Sequence, residues 1–598
     1  MIYAGCDTET YIETHKDALT GVEIVDNKGL KSIQLVTDDA EYYFIAEDYT
    51  KSDNEIRNDI CKQFFDFLLD FPEDLRISFF NLTFDSSQFL YYMIAYSGLE
   101  INYEDQHKLR KNELTFLETD RKVYSISFRN HKGKVVKMID LANFAVASKL
   151  NDVAKSWIGK EKISIESKIF PKKQPTQEEL EYAMQDARIT LDIYHKFLEE
   201  SVIEYGTVTI AGRTMKHFRE YCKHEYRISL EKLLFLTDDE TEIDEMKEQF
   251  ETELRHAVRG GICQAWHKGI FENVTHIDAR SMYPTQCVYY LYPCGGLLKE
   301  PPISDRYTSI VYPSGWYELK TGKIPCVQWS SKANCDRYAY KKNYEPAEYV
   351  KDFFLDGSYA IWQDEYEIIK EQYTVENEEI TKVWYIKMKD NIVLANYVNQ
   401  LYDGKRNNTG AKRMYYKYLL NALYGKFLTR PDGMAVTYVY ENEEWQRIKI
   451  ATEKQTYYLP LGMWIAMKGR VTLMKAIMSL KNQDDDFIYC DTDSIVFRNS
   501  FPNVKIGKEL GDWGIEQENA SINVVGQKTY QEKTADGTVI TKCAGMPTAL
   551  KDKVEWLGLY DGLTIDCTKP RRDKNTWAIN IEPTQFTVSS KAQIFKRG

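Results

Sequence analysis

The run Ile488-Tyr489-Cys490-Asp491-Thr492-Asp493-Ser494-Ile495 sets two carboxylates two residues apart between apolar flanks, Phe487 to Tyr489 and Ile495 to Phe497. Those flanks predict two short strands meeting at a tight turn, with Asp491 and Asp493 at its tip. Carboxylates held in this way suit a hard divalent cation such as Mg2+. A polar turn of the kind that Asp and Ser commonly make explains the same letters. The choice depends on whether the chain also supplies a third acid, a helix that binds a triphosphate, and a nucleic-acid groove.

It supplies candidates for each. His276-Ile277-Asp278-Ala279-Arg280-Ser281-Met282-Tyr283-Pro284 puts an acid at the end of a predicted strand, before a tight turn. On a predicted helix over Ala411 to Leu428, the residues Arg413, Lys417, Asn421 and Tyr424 follow i, i+4, i+8, i+11 and share one face. Two cations one turn apart, then an amide and an aromatic ring, can hold a triphosphate and its attached base. A solvated face more usually mixes signs. Arg259-Gly260-Gly261 allows close backbone approach to a phosphate, and a plain turn explains it equally well. Lys528-Thr529-Tyr530 and Lys542-Cys543 fall on predicted strands beyond the acidic hairpin. Lys569, Arg571, Arg572 and Lys574 offer a basic loop that grips a duplex backbone or is merely solvated.

A second set of acids lies near the N-terminus. Asp7 and Glu9 share one face of a predicted strand, because strand side chains repeat every two residues. Asn81-Leu82-Thr83-Phe84-Asp85 follows the apolar run Ile77 to Phe80 and places another acid at a strand end. Thr176-Gln177-Glu178-Glu179 is a capping box, and in the helix it starts Tyr182 and Asp186 share a face. Four carboxylates and a tyrosine on strand, strand end and helix are what a two-metal nuclease needs. Asn81 and Phe84 add a polar contact and a stacking face for a single-stranded end.

The elements that must position these residues belong to several domains, since 598 residues exceed one core. A composition of 43% hydrophobic and 28% charged residues is that of a water-soluble globular chain, and no run of eighteen apolar residues predicts a membrane span. Met1 to Asp7 runs straight into strand-like sequence with no basic leader, so secretion is not expected. Eleven cysteines without a Cys-x-x-Cys pair argue against a zinc site and a disulfide framework, and for a reducing cytoplasm. The net charge of −12 weighs against nucleic-acid binding as a bulk property, although acid is concentrated between Asp238 and Glu253, on a predicted helix. Ala435 to Ile450 alternates as a long hairpin, and Val471 to Leu480 predicts core helix. Residues 289–391, rich in Tyr, Pro, Gly and Trp, contain no visible catalytic constellation and predict an inserted module.

Asp278-x-x-Ser-x-Tyr-Pro, Lys417-x-x-x-Asn-x-x-Tyr-Gly and Tyr489-Cys-Asp-Thr-Asp-Ser, in that order, resemble the three polymerase motifs of family B DNA polymerases. Asp7-x-Glu9, Asn81-x-x-Phe-Asp85 and Tyr182-x-x-x-Asp186 resemble that family's three exonuclease motifs. Lys528-x-Tyr530 and Lys542-Cys-Ala-Gly-Met546 are similar to the protein-primed branch of small tailed phages and linear plasmids, as are the insertion before the fingers and the hairpin after them. Val258, Ala422 and Ala466 depart from the branch's usual tyrosine, serine and threonine.

The resemblance implies a multidomain α/β chain: an N-terminal ribonuclease-H-like 3′-5′ exonuclease domain and a right-hand polymerase of palm, fingers and thumb with two terminal-protein-region insertions. The expected bounds are 1–203 exonuclease, 204–288 first palm part, 289–391 first insertion, 392–428 fingers, 429–459 second insertion, 460–546 second palm part and 547–598 thumb. It further implies that Asp278 and Asp493 ligate metal with Asp491 in support. Tyr283 stacks under the sugar, Arg413 and Lys417 bind the triphosphate, and Asn421 and Tyr424 line the nascent pair. Lys528, Tyr530 and Lys542 contact the primer end, and Lys162 steadies the phosphate cut in the exonuclease site. The implied cofactor is Mg2+, two ions per site, with Mn2+ as a substitute. Implied partners are primer-template DNA, deoxynucleoside triphosphates and a terminal priming protein, the enzyme being a monomer or a heterodimer with that protein in the host bacterial cytoplasm. Two other classes compete: a family B polymerase that starts from ordinary nucleic-acid primers, and a non-catalytic DNA-binding replication factor. The two insertions disfavour the first. The second is disfavoured because none of the seven motif acids is missing.

Overall fold

In the first strand, Ile2–Lys16, even-numbered residues Ala4 and Cys6 enter one core while Gly5, Asp7 and Glu9 face the other way. A computed structural model describes residues 1–16, 23–103, 108–145, 148–163, 171–203, 207–289, 291–329, 348–349 and 351–589. The expected boundary near 203–204 and part of the 289–391 segment lie outside these residues. Ile2–Lys16 is central in an eight-stranded mixed sheet, where it pairs antiparallel with Glu23–Thr37 and parallel with Leu75–Phe79. Helices Asp53–Asp70 and Leu82–Tyr96 cover the Ala4 face with Phe64, Phe65, Phe89 and Leu90. The helix Gln177–Glu199, started by the capping box at Thr176, covers the other. It packs so closely that a Cβ on Gly5 would lie 2.7 Å from the Leu191 backbone nitrogen, so only glycine fits. This approach brings Asp186 to the face that carries Asp7 and Glu9.

A second, antiparallel sheet has seven strands, with Gly269–Ala279 at its middle between Trp513–Gly526 and Ser494–Phe497. The helix Leu459–Met478, apolar nearly all round, is buried along most of its length and extends well upstream of the expected core stretch. Ile392–Arg406 and Gly410–Phe427 form the expected helix pair. The inserted segment builds its own five-stranded sheet around Tyr307–Leu319 and Tyr373–Lys389. The acidic helix Glu240–Leu254 buries Ile243, Phe250 and Leu254, with Met246 only partly buried.

Asp432–Glu441 and Glu444–Glu453 form the predicted hairpin, in unbroken register from Asp432↔Glu453 to Glu441↔Glu444. An isolated two-stranded arm is only marginally stable in water, so it must rest on something. It rests on the N-terminal sheet and the C-terminal hairpin Thr564–Arg572/Ile579–Thr587. Tyr438 is buried against Phe116 and Trp577, at ring-centroid distances of 5.0 and 4.9 Å. Its hydroxyl donates to Glu118, whose side chain is 0% exposed. Arg447 adds bonds to Glu118 from Nε at 3.0 Å and Nη2 at 2.7 Å. Arg572 also turns inward, 4.0 Å from Glu118, and Arg571 lies 3.4 Å from Glu582. Of the two readings left open for this basic stretch, duplex grip or solvated loop, Arg572 follows neither, because it turns towards a buried carboxylate.

Candidate active sites

Asp491 ends the strand Phe487–Asp491 and lies opposite Ser494, leaving Thr492 and Asp493 as a two-residue turn. Thr492 takes φ +65°, which a β-branched residue adopts only when its surroundings impose it. Those surroundings are visible. Its N–H donates to the Ile262 carbonyl at 2.6 Å, the Asp493 N–H to the Asp491 carbonyl at 2.7 Å, and the Ala279 N–H to the Asp493 carbonyl at 2.7 Å. Asp278 pairs with Ser494 in the neighbouring strand, which sets it beside Asp493.

Burial pushes the Asp278 carboxyl up to about 7, with Asp493 and then Glu516 adding repulsion against the pull of His276 and Lys417. Burial and Asp491 push Asp493 up to about 6. Two buried neighbouring acids, both raised by burial and by other carboxylates, fit a divalent cation, since Mg2+ is commonly held by one or two carboxylates plus substrate phosphates. Asp491 is placed differently. Both its oxygens accept from Lys528 Nζ, at 2.6 and 2.7 Å. Lys528 lies on the turn before Thr529–Lys533, at φ +55°, and not on a strand as expected. Tyr530 pairs directly with Lys542 in the sheet and packs on Tyr489, ring centroids 5.0 Å apart.

Gly410–Phe427 presents Arg413, Lys417, Asn421 and Tyr424 along one face, with the Tyr424 ring stacked on Tyr283 at 4.3 Å and 29°. The sequence reading missed Lys405. It comes from the preceding helix, donates from Nζ to Ser281 Oγ at 2.7 Å, and is pushed down to about 8 by burial and by Arg413 and Lys417. Three mutually repelling cations near two acids suit a polyanion that carries its own metal. The only local signal was Lys405 in the last helical turn before Gly410.

Gly261 sits under the turn between Asp491 and Asp493: a Cβ there would lie 2.8 Å from the Thr492 side chain and 2.9 Å from the Tyr283 hydroxyl. Close approach, not a turn conformation, demands this glycine. Gly260 has open space around it. Arg259, expected to meet DNA, is instead 8% exposed, because its guanidinium lies 3.7 Å over the Tyr359 ring and donates to the Ala360 carbonyl at 2.9 Å.

In the N-terminal sheet, carboxylate oxygens of Asp7, Glu9 and Asp186 lie within 4.8 Å of one another, the one such trio of possible ligands among the described residues. Burial raises Asp7 well above the usual range, helped by Asp85, Glu9 and Asp186. Glu9 is pushed to about 8 by burial and Asp186. Asp186 Oδ2 pairs with Lys162 Nζ, while Oδ1 is buried without a hydrogen-bond partner. An orphaned carboxylate oxygen beside two repelling acids fits a bound cation. Asp85 stands outside this trio but close enough to raise Asp7 and Glu9, and accepts from the Thr8 N–H at 3.2 Å and hydroxyl at 2.7 Å. Burial pushes it to about 7. The Lys162 ammonium lies 4.9 Å from the Tyr182 ring centre. Asn81, at φ +89°, starts the Leu82–Tyr96 helix with its side chain exposed, Phe84 is half-buried, and the Asn81 N–H is held by Asp140 at 2.9 Å. Asp140 was also missed, since nothing in its local sequence marks it.

Residues 50–506 match the family described as DNA polymerase type B, organellar and viral. The DNA polymerase of Bacillus phage PZA is 29% identical over 344 residues, covering 53% of this chain and 56% of that protein. The DNA polymerase of Bacillus phage phi29 is 28% identical over 377 residues, covering 56% and 62%. The matched region thus spans less than two thirds of the length of these relatives. In three dimensions the fold matches phi29 DNA polymerase complexed with primer-template DNA and incoming nucleotides, with a TM-score of 0.77 at 19% identity over 98% of this chain and 99% of that one. The match over residues 50–506, well over half of the chain, shows that this chain belongs to the organellar and viral type B DNA polymerases.

Proposed function

We propose that the protein is a replicative DNA-directed DNA polymerase with a 3′-5′ proofreading exonuclease, primed by a protein. The observation that carries this reading is the strand register that sets Asp278 beside Asp493 at the foot of a cationic helix face. The primer 3′-hydroxyl attacks the α-phosphorus of the incoming deoxynucleoside triphosphate, a P–O bond forms, and pyrophosphate leaves. Mg2+ ions, for which Mn2+ can substitute, would when bound activate the attacking oxygen and stabilise the leaving one. Asp278 and Asp493 would hold them, with Asp491 in support. Lys405, Arg413 and Lys417 neutralise and orient the triphosphate. The stacked Tyr283 and Tyr424 form a platform beneath the sugar and nascent pair that leaves no room for a 2′-hydroxyl. Lys528, Tyr530 and Lys542 line the primer end.

In the editing site Asp7, Glu9, Asp85 and Asp186 would hold the cations for hydrolysis, Lys162 and Tyr182 would steady the phosphate, and Asn81 and Phe84 would receive the unpaired end. We assign 1–203 to editing, 204–288 and 460–546 to the palm, 392–428 to the fingers and 547–598 to the thumb. Segments 289–391 and 429–459 would serve protein priming, processivity and strand displacement. Primer-template DNA and nucleotides are named with the phi29 polymerase that shares the fold, which supports the same partners here. The proposed setting is the cytoplasm of a phage-infected host. Labelled nucleotide incorporation on primed and unprimed templates, with and without a candidate terminal protein, tests the reading. Extension of primed template, plus label transferred to the terminal protein, is expected. No incorporation with either would overturn it, and extension from nucleic-acid primers alone would restrict it to ordinary priming.

A further inference from the structure

The inserted segment reaches the catalytic turn through one carboxylate. Glu365 lies on the helix Gln363–Gln372 and accepts from Arg470 Nε and Nη2, at 2.7 and 2.8 Å. Their side chains are 14% and 7% exposed, so each charge depends on the other. The remaining Arg470 nitrogen, Nη1, donates to the carbonyls of Arg259 and Gly260, at 2.9 and 3.2 Å. Arg259 is held from the same side, by Tyr359 and Ala360 as described, with its Nη1 3.8 Å from Glu365. Gly261 and Ile262 follow directly, and they are the residues on which Thr492 rests. A continuous path therefore leads from Glu365 through Arg470 and the 259–262 backbone to the residue between Asp491 and Asp493. Thr492 is strained, and a strained turn persists only where its surroundings over-determine it.

We propose that Glu365 is a positioning residue for nucleotidyl transfer: through Arg470 it fixes the 259–262 backbone, and with it the turn that aims Asp493. The inference rests on the polymerase reading of the site. It differs from simple docking of the insertion, because a second ion pair, Lys468 with Asp364, joins the same two helices. Asp364→Asn therefore removes a docking contact and spares the path.

The test is single-nucleotide incorporation on a primed template, with turnover and KM for the nucleotide measured separately and folding followed by thermal melting. For Glu365→Gln, turnover falls about a hundred-fold, the cost of a displacement of about 1 Å at the reacting centre. KM stays within about threefold, because the triphosphate meets cations carried by another pair of helices. Glu365→Asp, which keeps the charge on a shorter stem, recovers about tenfold of that loss. Asp364→Asn stays within about twofold of wild type in turnover, because Asp364 is 40% exposed and Glu365, Arg470 and the 259–262 backbone keep their bonds. Wild-type turnover in Glu365→Gln, or an equal loss in Asp364→Asn, would overturn the proposal. If Glu365→Gln does not fold, Glu365→Asp decides: reduced turnover at unchanged KM supports it, and wild-type turnover overturns it. A wild-type protein that adds no nucleotide overturns the polymerase reading itself, and this inference with it.

Discussion

Replacing Glu118 by Gln should release the hairpin from the body of the protein. Glu118 has a fully buried side chain and takes hydrogen bonds from Tyr438 and Arg447, with Arg572 4.0 Å away. The three partners come from two other parts of the chain, so one carboxylate ties the N-terminal sheet to both the hairpin and the C-terminal strands. Removing one side of a buried ion pair costs about 3–5 kcal/mol, because the cation left behind remains desolvated. Glutamine keeps one acceptor for Arg447 or Tyr438, which places the loss at the lower end, about 3 kcal/mol. That corresponds to a shift of about 150-fold in the equilibrium between docked and undocked hairpin. Amide hydrogen exchange reads it directly. Protection in Val436 to Tyr440 should fall by about two orders of magnitude, while the Leu75–Phe79 strand of the same sheet keeps its protection. Strand displacement should shorten alongside, with gap filling on single-stranded templates preserved. Unchanged hairpin protection in a folded Glu118→Gln protein would refute the latch.

Asp7→Ala with Glu9→Ala should abolish 3′-5′ degradation, raise misincorporation and spare extension, since Asp7 and Glu9 lie on a different sheet from Asp278; degradation by the purified double variant would contradict this. Tyr283→Val should admit ribonucleotides, because it removes the ring stacked on Tyr424; unchanged discrimination in competition assays would remove Tyr283 from that role. Stability should depend on pH in a particular sense. The carboxyls of Glu9, Asp85 and Asp278 are pushed up to about 8, 7 and 7, whereas the unfolded chain releases these protons near about pH 4. Between those limits the folded state holds the extra protons, so stability falls as pH rises. Mg2+ binds the charged form and should raise the melting midpoint more at about pH 8 than at about pH 5.5; equal shifts at both would contradict the assignment.

The parts of the site that were legible in the sequence are those set by local periodicity. Asp7 and Glu9 share a strand face, Tyr182 and Asp186 a helix face, and Arg413 to Tyr424 a longer one, because two-residue and 3.6-residue repeats fix direction without reference to anything distant. The turn carrying Asp491 and Asp493 was legible because its flanks are apolar. What periodicity cannot give is which faces meet. Lys405 joins Arg413 and Lys417 only because two helices fold back on each other, and Asp491 engages Lys528 from a turn whose flanking strands are not neighbours of its own strand in the sheet. Glu118 and Arg447 are 329 residues apart. Arg259 carries the same lesson in reverse: beside two glycines it suggested a phosphate contact, yet an aromatic ring from the inserted segment covers it. Glu365 was invisible for the same reason, in a segment with no local catalytic pattern.

The central claim is that Asp278 and Asp493 carry out nucleotidyl transfer while the N-terminal acids carry out hydrolysis. The most direct measurement follows one preparation of Asp278→Ala protein in two assays: labelled nucleotide addition to a primed template, and degradation of a single-stranded oligonucleotide. No detectable addition is expected, with degradation at the wild-type rate. Addition near the wild-type rate, or loss of degradation in a protein that melts normally, would contradict it.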